Sequence, residues 1–147
     1  MKSLVIYDST SGNTRRLAEA VADALRARGE VELLSAHDAP AALPAADLVL
    51  IGGPTERRTL TDPMARFLDR LAPGSLRGLA TAAFDTWLRW PHLLSGSAAE
   101  DIAKRLRAAG ARLVLRPESF LVSMKPELEP GETDRARVWA IGAADAV

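Results

Sequence analysis

At 147 residues, 48% of them hydrophobic, the chain has length for one core and none for a second independent one. Its nineteen basic and nineteen acidic side chains cancel, which removes the electrostatic case for nucleic acid or an anionic membrane surface as a partner. Cysteine is absent and the only two histidines, His37 and His92, lie far apart, so disulfides, thiolate catalysis, Fe–S clusters and a His-based metal site are not expected.

In chain order, Ser3–Tyr7 is a short apolar run of the kind buried on both faces of a sheet. It is too short and too soon followed by polar residues to act as a signal peptide, and no run reaches transmembrane length. A cytoplasmic protein is expected. Thr14–Arg28 carries Leu17, Ala18, Val21 and Leu25 at helical spacing, and Gly29 supplies the stop. Val31–Leu34 is a second strand; His37–Ala46, with Pro40 and Pro44, has room for one helical turn. Asp47–Ile51 is the clearest strand, ended by Gly52-Gly53-Pro54. Asp62–Leu71 is amphipathic through Met64, Phe67, Leu68 and Leu71, with Asp62 as N-cap and Pro63 at the first helical position. Leu79–Phe84 is a fourth strand, and Ser97–Ala109 a helix closed by Gly110. Arg112–Leu115 is a fifth strand with a continuation at Ser119–Val122 beyond Pro117, and Thr133–Ala146 is the last helix. Strands alternating with helices predict an α/β fold, a doubly wound five-stranded parallel sheet, with residues 1–147 forming one domain.

Ligands of such sheets bind beyond the carboxyl ends of the strands, where strand order reverses. Three loops qualify: Asp8–Asn13, Pro54–Thr61 and Asp85–Gly96. The first leads Ser9-Thr-Ser-Gly-Asn-Thr14 from a buried strand into a helix N-terminus. It offers four hydroxyls, a glycine for the close turn and several unpaired N–H groups, the makings of a phosphate cradle without a cationic side chain. The plainer alternative is a hydroxyl-rich helix cap, although a cap needs one such residue. A G-x-G-x-x-G fingerprint and a P-loop are both absent. An Asp-nucleophile phosphatase would want a second Asp where Thr10 stands, and a receiver domain would want one where Gly52-Gly53-Pro54 stands.

Val5–Val21, with Tyr7, Ser9, Gly12, Thr14, Ala18 and Val21 at its characteristic positions, resembles the FMN-phosphate signature of the flavodoxin family. Asp47–Pro54 with Thr55 resembles that family's third strand and flavin-flanking loop. Phe84-Asp-Thr86, Leu94–Ala99 and the helix ending at Gly110 resemble single-domain flavodoxin-like proteins of bacteria. The resemblance implies strand order 2-1-3-4-5, FMN as cofactor, and electron transfer with the flavin ring between the loops after strands three and four. It implies FMN contacts from Ser9, Thr10, Ser11, Gly12, Asn13 and Thr14, from Pro54, Thr55, Glu56 and Arg57, and from Asp85, Thr86, Trp87 and Trp90. No catalytic residue and no metal ligand is assigned.

Departures from the family pattern bear on the kind of flavoprotein. Electron-carrier flavodoxins are usually acidic, and this chain is neutral. Thr55–Thr59 lacks the glycine whose peptide can reorient toward flavin N5, and lacks a stacking aromatic. Trp87 or Trp90 would then stack on the ring, or both cap the sheet edge, while Trp139 is assigned to packing. Arg57 and Arg58 are either solvated or bring one cation to the N1–C2=O edge of the flavin, and Asp85 either holds its loop or accepts from the ligand. These departures favour two-electron over one-electron reduction. Three functions are compatible with the residues. The leading one is an FMN-binding redox protein, either a carrier serving a partner protein or a small flavin reductase. The alternatives are an FMN-dependent quinone-type oxidoreductase acting on a small oxidant, and a flavin-free binding module.

Overall fold

Residues 1–56, 59–88, 97–123, 125 and 127–147 are described in the computed structural model of the chain. The apolar runs form parallel strands because both of their faces are covered. In β1 (Lys2–Tyr7), Leu4 and Ile6 enter one core layer and Val5 the other. In β3 (Leu48–Pro54), Val49 and Ile51 share the layer of Leu4 and Ile6, whereas Leu48 and Leu50 share that of Val5. Side chains alternate across a strand, so a run apolar at every position fits only a sheet with helices on both sides.

The helices fill those two layers. Leu17, Ala18, Val21 and Leu25 of α1 (Asn13–Leu25) pack with Ala136, Ala140 and Ala143 of α4 (Glu132–Asp145) on one face. Met64, Phe67 and Leu68 of α2 (Asp62–Arg70) and Ile102, Ala103 and Leu106 of α3 (Ala98–Ala108) cover the other. Trp139 of α4 meets Phe84 and Phe120 edge-on, at ring centroid distances of 5.7 and 6.0 Å, which bears out its assignment to packing. Such aromatic pairs add about 0.5–1.5 kcal/mol each beyond the area they bury.

The sheet runs in the order β2-β1-β3-β4-β5, with β2 spanning Glu30–Ser35, β4 Ala80–Leu88 and β5 Arg112–Leu113. All of its pairings are parallel. The expected continuation beyond Pro117 is β6 (Glu118–Val122), which returns to the same side of β4. β5 pairs with the start of β4 at Ala80 and Thr81, and β6 with its end from Phe84 to Leu88. One edge strand is thus interrupted between Leu113 and Glu118, and Pro117 within the gap has no N–H to give the ladder.

Several boundaries differ from the sequence reading. β3 does not end at Ile51 but continues through Gly52 and Gly53 to Pro54, where β4 still supplies partners, and β5 stops at Leu113 rather than Leu115. The fourth strand does not stop at Phe84, because β6 supplies a partner through Leu88 and β3 one through Thr86. Asp85–Leu88, read from the sequence as the start of the third loop, therefore belong to β4, and residues 89–96 lie outside the described residues. The N-cap of α2 is Thr61 rather than Asp62. The Thr61 side chain accepts the Met64 N–H, and Asp62 and Pro63 follow inside the first turn, where an acid still gains from the helix dipole.

Close approach explains one of the two glycines that precede Pro54 in β3. A Cβ on Gly52 would stand 2.3 Å from the Phe84 ring, whereas one on Gly53 would make ordinary contact, 3.7 Å from Asp8 Cβ. Gly52→Ala is therefore expected to cost about 1–3 kcal/mol of stability through overpacking, and Gly53→Ala to stay within about 1 kcal/mol of the parent. Denaturant unfolding of the two variants checks this; equal losses would contradict the close-approach account.

Candidate functional site

β1 lies between β2 and β3, so the chain leaves β1 toward one edge of the sheet and later returns to its other side. The crevice at the carboxyl ends of β1 and β3 is where such a sheet binds ligands. Register gives this rim a stepped form. Tyr7, the last residue of β1, pairs with Gly52, and β3 runs two residues further to Pro54. Pro54 pairs with Thr86, and β4 again runs two residues further to Leu88. Each step is about 6–7 Å at strand rise.

The lowest step carries the Ser9–Thr14 loop. The β1–β3 ladder extends into it through the Asp8 N–H and the Gly52 carbonyl at 3.0 Å. Ser9 Oγ then accepts the N–H groups of Gly12 at 3.0 Å and Arg15 at 3.4 Å. A hydroxyl that accepts two bonds keeps its proton, so Ser9 remains a donor for a ligand. Gly12, at φ 89°, is the helix N-cap and offers no side chain to cap with. That left-handed conformation is what a glycine tolerates without strain. Among the described residues, the N–H groups of Thr10, Ser11 and Thr14 donate to nothing, at the positive end of a 13-residue helix. Thr10 and Ser11 are exposed, whereas Asn13 and Thr14 are buried. Asn13 Nδ2 donates to Ser11 Oγ at 3.2 Å, and Thr14 Oγ1 lies 2.7 Å from Thr86 Oγ1.

The second loop is tied to the third step by a buried carboxylate. Thr55 donates its N–H to the Thr86 carbonyl at 3.0 Å and its hydroxyl to Asp85 Oδ2 at 2.9 Å. The same Thr55 oxygen accepts the Ala98 N–H at 2.9 Å, and Asp85 Oδ2 accepts that of Ala99 at 3.0 Å. Thr55, Asp85 and the N-cap Ser97 thus share the orphan donors of the first turn of α3. Pro54 is half-buried and Glu56 exposed; Glu56 and Thr59 exchange both backbone hydrogen bonds at 3.0 Å. Trp87 stands half-buried in β4 opposite Leu121. Arg57, Arg58 and Trp90 lie outside the described residues.

The structure therefore brings Thr14, Thr86, Asp85 and Thr55 together and leaves Thr10 and Ser11 facing solvent. Of the two roles open to Asp85, loop-holding is the one its contacts realise. Sequence reading passed over Asp8 and Thr61, whose side chains bond each other across the crevice, with Thr61 as donor. The signal was present, since a Thr directly before Asp-Pro is well placed to cap a helix. A groove of about 500 Å³ between α2 and α3, lined by Leu60, Ala65, Lys104 and Ala108 among others, shares no residue with the Ser9–Thr14 loop.

The family model for flavodoxin matches residues 5–140. The chain belongs to the flavodoxin family. No curated protein sequence matches it. A flavodoxin from the domain Archaea superposes with a TM-score of 0.83 at 26% identity, over 99% of this chain and 97% of its own. The oxidised flavodoxin 1 from Bacillus cereus does so with a TM-score of 0.84 at 23% identity, over 100% and 99% of the two chains. Rubredoxin oxygen:oxidoreductase from Desulfovibrio gigas matches with a TM-score of 0.78 at 20% identity, over 99% of this chain but 35% of its own. The last two likenesses concern the fold. Among the described residues of this flavodoxin-family chain, no helix is long and apolar enough to cross a membrane.

Within this flavodoxin fold, burial dominates Asp85 and raises its pKa above the ordinary 3.8. The Ala99 N–H and the Ser119, Thr55 and Ser97 hydroxyls pull the other way. The serine hydroxyls act on the carboxylate from nearby, yet its buried Oδ1 makes no hydrogen bond among the described residues. The folded protein thus holds the Asp85 proton more tightly than the unfolded chain does. That contribution to stability is full below the unfolded pKa and is lost as pH rises through the folded one. Asp85→Asn keeps an acceptor for Thr55 and Ala99 and removes the ionisation. Its stability relative to the parent should rise with pH over the range from the ordinary 3.8 upward. Urea midpoints across that range check this, and a difference independent of pH would contradict it.

Proposed function

We propose that the chain binds FMN, with its phosphate in the Ser9–Thr14 loop, and serves as a flavodoxin-like electron-transfer protein for a redox partner. The observation that carries this reading is the loop itself. It combines N–H groups at Thr10, Ser11 and Thr14 that are unpaired among the described residues, the left-handed Gly12 and the spare proton of Ser9 at the start of a helix. A phosphate dianion accepts hydrogen bonds only, so a cradle made of donors at the positive end of a helix fits it. No cation is needed: the loop sequence contains none, and the adjacent Arg15 is exposed and paired with Glu19 at 3.1 Å.

Pro54, Thr55, Glu56 and Trp87 stand on the two higher steps of the rim and are the residues that would hold the ring. When bound, the flavin supplies the electron chemistry; the protein supplies binding, orientation and charge. Thr55 is fixed through its N–H and its hydroxyl. Thr55 would therefore meet the ring already held in place, with little ordering entropy of its own to lose on binding. Membership of the flavodoxin family and the likeness to the archaeal flavodoxin support the assignment.

The purified protein is expected to be yellow, or to become so on adding FMN. Changing Ser9 to Ala together with Thr14 to Val removes two donors to the phosphate. The double variant should weaken FMN by about a hundredfold while moving riboflavin less than about threefold, since hydrogen bonds to a charged group are worth more than neutral ones. Quenching of flavin fluorescence in parallel titrations measures both ligands. Equal losses for the two would contradict a phosphate site in this loop.

A further inference from the structure

The hydroxyls of Thr14 and Thr86 form a close pair. Thr14 is 2% exposed and Thr86 5%, and their oxygens are 2.7 Å apart across 72 residues of sequence. The bond joins the first turn of α1 to the top of β4, between the cradle and the loops that would flank a flavin. Thr86 is anchored independently of it: its carbonyl takes the Thr55 N–H at 3.0 Å, and it sits between Pro54 and Phe120 in the sheet.

Each hydroxyl has one proton to give and can accept two bonds. The direction of their shared bond decides what Thr14 offers a ligand. If Thr14 donated to Thr86, its proton would be spent, and the lone pairs it showed a phosphate would repel. If Thr86 donates, the Thr14 proton is free, and a hydroxyl that accepts a bond is a better donor for doing so. Among the described residues, Thr86 Oγ1 has no partner other than Thr14 Oγ1, so its proton has no competing acceptor. An acceptor-only ligand in the cradle makes the second direction the favoured one.

We propose that Thr86 is a positioning residue for phosphate recognition: it donates to Thr14 Oγ1 and thereby aims the Thr14 proton at the phosphate of FMN. This rests on the FMN reading above and goes beyond it, because Thr86 acts through Thr14 and sharpens selection of FMN over the unphosphorylated flavin. A residue that only packed in the sheet, or only touched the ring, would affect both ligands alike.

The experiment titrates the full chain and its Thr86→Val and Thr86→Ser variants with FMN and with riboflavin, and melts each apoprotein. Val keeps the shape and removes the proton; Ser keeps the proton. Thr86→Val is expected to weaken FMN about tenfold and riboflavin less than about twofold, with Thr86→Ser within about threefold of the parent for both. If Thr86→Val fails to melt cooperatively, Thr86→Cys, a weaker donor, takes its place in the same comparison. Parallel losses for the two flavins, or no loss for FMN in a parent that prefers FMN, would overturn the role of Thr86 alone. A parent that binds both flavins equally would overturn the phosphate reading as well.

Discussion

The parallel register of β1, β3 and β4 is the constraint on which the rest depends. Parallel strands bring all their carboxyl ends to one edge, so the Ser9–Thr14 loop, Thr55 and the end of β4, distant in sequence, meet there without further instruction. The offsets Tyr7–Gly52 and Pro54–Thr86 then make that edge a staircase. The Ser9–Thr14 loop lies on its lowest tread, under strand ends that rise two residues at a time. A ligand with an anionic tail and a flat apolar head suits such a shape, tail down at β1 and head against β3 and β4. The length of β4 is as important as the loop. Had the strand ended at Phe84, Thr86 would not stand level with the first turn of α1, and the buried bond to Thr14 could not form.

Two interactions tie the described parts of that rim together. Asp85 binds the start of the second loop and the first turn of α3 with a single oxygen. Its charge is costly where it is, as the raised pKa reflects. The cost is tolerable because the helix presents donors there that would otherwise be orphaned. Thr14 and Thr86 join the remaining pair of elements. Among the described residues, Thr14 and Thr55 thus each lean on the end of β4. Loops held this way carry function while moving little.

The legible part of the structure was the part written locally. Runs such as Val49-Leu-Ile51 and the spacing of Leu17, Val21 and Leu25 record strand and helix burial directly in adjacent residues. The hydroxyl-rich turn was legible for the same reason, since all of its donors lie within six positions, Ser9 to Thr14. Asp85-Thr-Trp87 was not, because alternating polar residues look like a loop until β6 is known to pair with them. Thr61 lost the capping role to its neighbour on paper, since both residue types cap helices and only the backbone conformation decides. The Asp85–Thr55 and Thr14–Thr86 bonds span 30 and 72 positions, beyond any local pattern.

The central claim is that backbone N–H groups of the first loop take a phosphate. Amide chemical shifts of the isotopically labelled protein test it most directly, recorded with FMN and then with riboflavin. The account predicts that the Thr10, Ser11 and Thr14 amide protons move downfield with FMN and hold their positions with riboflavin, while residues on the upper steps respond to both. Shifts of the same size with the two ligands, or an undisturbed Ser9–Thr14 loop in the FMN-saturated protein, would contradict it.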